Sequence, residues 1–185
     1  MLDTIKRIIK EVESAKDLAE GLNIIVGQIS STMSVGVCSV YLKQPDTDNF
    51  VLMATMGLNQ EAVGRACLAV DEGLVSLIAR RAEPINLSNA IDHPNYRFLP
   101  GTGEESYRSF LGVPIIHYRK VVGVLVVQGE EPRNFTEDEV AFLMTAAAQL
   151  AEVITYSEVS DSIREVRKGK RSRSFSIRGI AGSTG

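Results

Sequence analysis

The sequence predicts an α+β fold in which helices pack on a largely antiparallel sheet, and three observations carry that prediction. Ser109–Ile116 and Val121–Gln128 are nearly continuous apolar runs rich in β-branched residues, separated by the polar tetrad His117-Tyr118-Arg119-Lys120. Two such runs around a short polar segment read as a β-hairpin, and their lack of alternation means that both faces are buried. Amphipathic helical patterns stand toward each end: Leu18, Leu22, Ile25, Ile29 and Met33 form one, and Val140, Leu143, Met144, Ala147, Leu150, Ala151 and Ile154 the other. The resulting order, helix, three strands, helix, loop, two strands and helix, without internal repeat, describes a sheet covered by helices.

Each element follows from local chemistry. Leu2, Ile5, Ile9 and Val12 make a helical stripe at the N-terminus, and Ser14-Ala-Lys-Asp17 reads as a capping box that restarts a second helix. Val37–Leu42 is a strand, Pro45–Asn49 a turn, Phe50–Thr55 the returning strand ended by Gly57, and Cys67–Val70 a short third strand. Asp71-Glu-Gly73 leads into a helix through Leu74, Leu77, Ile78 and Arg81, and Pro84 opens the extended piece Ile85-Asn-Leu87. Ser88–Ser106 holds Pro94, Pro100, Gly101 and Gly103 among polar and aromatic residues, without sustained periodicity. A loop of that length inside a compact domain is a functional candidate. Thr136-Glu-Asp-Glu139 is a second capping box at the head of the last helix, whose pattern continues weakly through Val159, Ile163 and Val166.

Composition narrows the function classes. The chain of 185 residues suits one domain plus a tail, and 44% hydrophobic residues suffice for a core. No apolar run approaches the roughly 20 residues of a membrane span, and the charged N-terminus lacks a signal-peptide core, so a cytoplasmic protein is expected. Cys38 and Cys67 lack a CxxC pairing and read as free core thiols. Seven basic residues against one acid between Arg164 and Arg178 form a basic tail on a chain of net charge −3, read as a solvated linker ahead of a nucleic-acid contact. No nucleophile–His–carboxylate set, metal pattern or phosphate-cradling glycine loop stands out. Glu104-Glu105 and Glu130-Glu131 read as solvated loop charge, and His117 as a solvated turn residue.

Four segments resemble the GAF family of small-molecule sensing modules: Cys38-Ser-Val-Tyr-Leu42, Asp71-Glu-Gly-Leu74, Asn89-Ala-Ile-Asp-His-Pro-Asn-Tyr96, and Ser109–Ile115 with Phe135–Glu139. The likeness spans about Leu18 to Ile154. It implies a central antiparallel sheet with the N- and C-terminal helices on one face and a ligand-pocket rim loop on the other. Phe110–Ile116, Ala82–Leu87 and Cys38–Leu42 together are similar to the N-terminal GAF domain of nitrogen-branch Enzyme I phosphotransferases, and Ile177–Gly185 resembles the opening of their catalytic body. The implied organisation is an N-terminal helix extension (1–16), a GAF domain (17–156), a helical, basic linker (157–176) and the start of a phosphotransferase body (177–185). The likeness implies a regulator without catalysis of its own. The body would use Mg and phosphoenolpyruvate to phosphorylate its own histidine and pass the phosphate to a phosphocarrier protein, while the GAF domain answers to glutamine and 2-oxoglutarate.

For the pocket, the alternation in Val37–Leu42 matters. If Cys38, Val40 and Leu42 pack on the terminal helices, Ser39 and Tyr41 face the rim loop, with Thr55 beside them. The loop adds Asn89, His93, Tyr96 and Arg97, and Arg108 sits at its base. Arg97 and Arg108 suit a ligand carboxylate because a guanidinium donates in a fork; the alternative for each is a surface pairing with Asp92, Glu104 or Glu105. His93 is either a cap of its own loop or a ligand contact. Cyclic-nucleotide GAF domains carry an Asn-Lys pair where Gln128-Gly129 stands here, which disfavours that ligand. A sulfoxide-reducing GAF enzyme would need cysteines in the rim loop. The terminal helices are expected to form a parallel homodimer or else to pack on each other within one chain, and a ligand-free, autoinhibitory dimerisation module is the rival to the sensor.

Overall fold

The computed structural model describes residues 2–154, 161, 163–165 and 167–169. Six strands form one antiparallel sheet in the order β3-β2-β1-β6-β5-β4, built from β1 (Val37–Lys43), β2 (Phe50–Met56), β3 (Cys67–Leu68), β4 (Ile85–Leu87), β5 (Ser109–His117) and β6 (Lys120–Gly129). The helices α1 (Leu2–Glu13), α2 (Leu18–Met33) and α4 (Glu137–Val153) belong to one core with Cys38, Val40 and Leu42 of β1; α3 (Gly73–Arg81) belongs to a second core with Tyr41, Phe50 and Leu52. The expected two-faced architecture is therefore observed. The parity of β1 sets it, because successive side chains point to opposite faces. A bulge in the β1–β2 pairing lets Met53 and Ala54 both enter the helical core, and Thr55 then comes level with Ser39.

Several local expectations are corrected. His117 pairs with Lys120, so the predicted four-residue loop is a two-residue turn in which Tyr118 (φ 45°) and Arg119 (φ 65°) are left-handed. Positive φ at both turn positions matches the strand twist of a tight hairpin. The N-cap of α2 is Asp17, which accepts from the Glu20 N–H at 2.8 Å, while Glu20 reaches back to the Lys16 N–H at 2.7 Å; the Ser14 hydroxyl instead donates to the Glu11 carbonyl at the end of α1. The second box forms as expected: Thr136 accepts from the Glu139 N–H and Glu139 from the Thr136 N–H. Strand β3 stops at Leu68, and Cys67, read as a core thiol, is exposed on it, whereas Cys38 is buried. On α4 it is Phe142 that turns inward, and Met144 is exposed.

Ile5, Ile8 and Val12 are buried in the helical core, where α1 packs on α2 and α4. Part of the stripe assigned to a partner chain, Ile5 and Val12, is thus covered by this chain itself. Positions 161, 163–165 and 167–169 are helical, and Ile163 joins the same core. Val159, Val166 and the segment 177–185 lie outside the described residues.

Gly57 shows how closely the chain is drawn together after β2. It adopts φ 96°, and a Cβ there would collide with the Gly36 carbonyl oxygen. Gly57→Ala should therefore lower stability by more than about 2 kcal/mol, the left-handed penalty plus a clash with backbone that cannot swing away. Gly101→Ala also replaces a left-handed glycine (φ 82°), but with nothing within 4 Å, and should cost only about 1 kcal/mol. Urea midpoints of the two variants check this; equal losses would remove the role assigned to the Gly36–Gly57 contact.

Candidate functional site

The rim segment is held by hydrogen bonds rather than by an apolar stripe. Leu99 carbonyl accepts from both the Thr102 N–H (3.3 Å) and the Thr102 hydroxyl (2.7 Å), and the Leu99 N–H donates to the Glu104 carboxylate at 2.8 Å. Asn59 ties this turn to the β2–β3 connection: its N–H donates to Thr102 carbonyl (2.8 Å) and its Nδ2 to Gly101 carbonyl (3.0 Å). The Arg108 carbonyl accepts from the Ala90 N–H (2.7 Å), and the Arg108 N–H donates to Gly129 at the end of β6 (2.8 Å). A polar loop can cover a sheet only if its main chain is paired in this way.

Beneath it lies a cavity of about 30 Å³ whose polar lining is Tyr41, Tyr96, Arg97, Glu104 and Gln128, with Leu74, Phe110 and Val126 among its apolar walls. Three of the eight residues named from sequence, Tyr41, Tyr96 and Arg97, line it. Ser39 and Thr55 share the sheet face with Tyr41 but are buried against each other, their hydroxyls 2.8 Å apart. Asn89 Nδ2 donates to Asp92 within a 3-10 turn, Ala90–Asp92, and its buried Oδ1 has no partner. His93 Nδ1 accepts from the Asn95 N–H at 3.1 Å, the loop-cap alternative. Arg108 donates to the carbonyls of Glu105 (2.7 Å) and Tyr107 (3.3 Å) and does not line the cavity. Arg97 donates to Tyr96 carbonyl at 3.0 Å and stands exposed at the mouth.

Glu104 and Gln128 line the cavity without having been named as site residues from sequence, and Glu104 is the more telling of the two. It is only 7% exposed, where adjacent acids in a polar loop suggested solvated charge. Burial raises its carboxyl above the ordinary carboxylate range; the Leu99 N–H partly opposes this, and Glu105 adds to it. Burial, with Glu104 as a second cause, also raises the Tyr41 hydroxyl. Tyr96 is raised by burial first and then by Glu104, against an opposing pull from Arg108. The usable signal was the neighbourhood: Leu99 and Thr102 make a tight turn that folds the next acid inward. Burial alone pushes the Cys38 thiol far up, which makes it an inert core thiol, and neither cysteine lines the cavity. Among the described residues no group of three or more His, Cys, Asp and Glu could hold a metal ion, and no helix is long and apolar enough to cross a membrane.

Known proteins share this fold. The GAF domain family matches residues 17–154. A Salmonella typhimurium protein of the phosphoenolpyruvate-dependent phosphotransferase system is 43% identical over 185 residues, covering 100% of this chain and 25% of that protein. The chain thus spans about a quarter of the length of this relative. Two solved GAF domains of phosphoenolpyruvate–protein phosphotransferases superpose closely. The one from Acinetobacter has a TM-score of 0.75 at 43% identity, covering 90% of this chain and 94% of its own. The one from Coxiella burnetii has a TM-score of 0.78 at 37% identity, covering 90% and 96%. With its two-faced antiparallel sheet, its rim loop over a small polar cavity and these relatives, the chain belongs to the GAF domain family.

Proposed function

We propose that this chain is the regulatory sensory module of a nitrogen-related phosphoenolpyruvate–protein phosphotransferase in the cytoplasm. In this reading an amino acid of the glutamine class, bound beneath the rim loop, controls autophosphorylation of a downstream catalytic body that uses Mg and phosphoenolpyruvate and serves a phosphocarrier protein. The observation that carries the reading is the buried Glu104 carboxyl on a cavity whose mouth holds Arg97. An amino acid presents an ammonium to the first and a carboxylate to the second, and Tyr41, Tyr96 and Gln128 offer groups for a side-chain amide. The other ligand of the class, 2-oxoglutarate, has two carboxylates and no ammonium, and it would set like charge against Glu104.

A cavity of about 30 Å³ has room for a water or two, so glutamine enters only as the rim loop moves outward. The loop is bonded through Arg108 to Gly129, from which the chain runs to α4. Loop displacement therefore pulls on the start of the C-terminal helix, and such coupling follows from a different ligand affinity in the two loop positions. The homodimer belongs on the outward side of the helices, where Ala141, Met144 and Ala148 share one exposed face of α4.

Three outcomes are expected. Glutamine at about 100 times its dissociation constant should add about 2.7 kcal/mol of stability, read as a rise in Tm; Arg97→Ala and Glu104→Gln should each abolish most of the rise, and its absence in the wild type would end the sensor reading. The Glu104 carboxyl is raised in the folded state, so its stabilising contribution is complete below the unfolded pKa of about 4.3 and is lost as pH climbs through the folded value. Without ligand, Glu104→Gln should consequently melt higher than the wild type at pH 7 and above, the gap closing toward pH 4. Met144→Asp should convert the dimer to monomer in sedimentation, and an unchanged mass would move the interface elsewhere.

A further inference from the structure

A second cavity, of about 280 Å³, lies on the same face of the sheet at the opposite end from the rim loop. Phe50, Val70 and Val121 give it apolar walls. Around them stand three cations from three elements far apart in sequence: Lys43 at the end of β1, Arg80 in the last turn of α3 and Lys120 at the start of β6. Among the described residues no carboxylate lines the cavity. Lys43 is held 2.9 Å from Asp48, but among the described residues the side chains of Arg80 and Lys120 make neither a hydrogen bond nor an ion pair. Ser76 commits its hydroxyl to the Ala69 carbonyl at 2.6 Å.

Each cation has an ordinary use taken singly. Arg80 favours the negative end of α3, and Lys120 keeps a hairpin end solvated. Neither use requires Arg80 and Lys120, with Lys43, to line one apolar hollow. Arg167 approaches this end of the sheet without lining the cavity, donating at 3.3 Å to Gln44, the residue after Lys43. Concave apolar walls with a few convergent charges are the composition of a small-molecule site, and the volume falls near the lower end of such sites, about 300 Å³. A flat basic patch would suit an acidic protein surface; a ring of cations around a hollow suits a compact ligand.

We propose that this cavity binds a small organic anion, its charged head on Arg80 and Lys120 and its apolar body against Phe50 and Val121, separately from the site under the rim loop. The test titrates phenyl phosphate into the isotope-labelled chain and follows backbone amide shifts. Saturable shifts at Lys43, Arg80, Lys120 and Val121 are expected, with Tyr41, Glu104 and Gln128 unmoved. Arg80→Gln combined with Lys120→Gln, both exposed positions, should weaken binding about tenfold or more. Phenol, which lacks the charge, and inorganic phosphate, which lacks the ring, should bind at least about tenfold more weakly than phenyl phosphate. No saturable shift in the cavity at millimolar phenyl phosphate, or equal affinity in the double variant, overturns the proposal. So do shifts confined to Tyr41 and Glu104, which assign the anion to the rim pocket, and shifts seen with an acidic peptide alone, which make this a protein-docking surface.

Discussion

Both faces of the central strands are apolar, and every other feature of this molecule answers the need to cover them. On one face the answer is complete. Helices α2 and α4, of 16 and 17 residues, are about 25 Å long and match strands of seven to ten residues. The other face has, among the described residues, one α-helix, α3, of nine residues or about 13 Å, which cannot reach from end to end of β5 and β6. One end of that face is closed by the rim loop, and the other is the hollow ringed by Lys43, Arg80 and Lys120. The cavity under the rim loop and the hollow at the other end thus share one cause, the shortness of α3.

A loop used as a cover must pair its own main chain. Leu99, Thr102, Ala90 and Arg108 do this through short hydrogen bonds, and Asn59 adds ties from across the sheet. Such a cover differs from α4, whose Phe142, Leu143, Ala147 and Leu150 are deep in the helical core. Segments held by few buried apolar contacts open at lower free energy than the core, which is the property a movable lid needs. Glu104 is a consequence of this arrangement: the turn that satisfies Leu99 brings a carboxylate under the loop with one N–H for company.

Most of the fold was legible in the sequence because period and parity are local. The β5–β6 hairpin, the alternation in β1 and the Thr136–Glu139 box emerged where the residues placed them. Misplacements fell where two local solutions compete. Ser14 and Asp17 are both good cap residues, and Asp17 won because Glu20 completes its reciprocal bond to the chain entering α2. Met144 and Phe142 both extend the apolar pattern of α4, and only the packing register admits Phe142. Cys67 was given to the core for its chemistry, but it lies on the two-residue edge strand, where one face is open.

The site was legible only in part. Tyr41 could be aimed at the rim loop because strand parity fixes its face, and Tyr96 and Arg97 fell within a loop long enough to reach it. Arg108 and His93 could not be placed, since whether a loop side chain bonds its own backbone or a cavity depends on the turn it ends in. Glu104 was invisible for the same reason. By itself the sequence determined which residues alternate, where the last helix starts and which strands are buried on both sides, because these depend on neighbours within a few positions. The tertiary structure alone decided that α3 leaves the sheet half covered, that Glu104 is folded beneath the loop, and that three cations separated along the chain share one hollow. Those outcomes depend on distances between elements, which sheet order and packing set and no local pattern encodes.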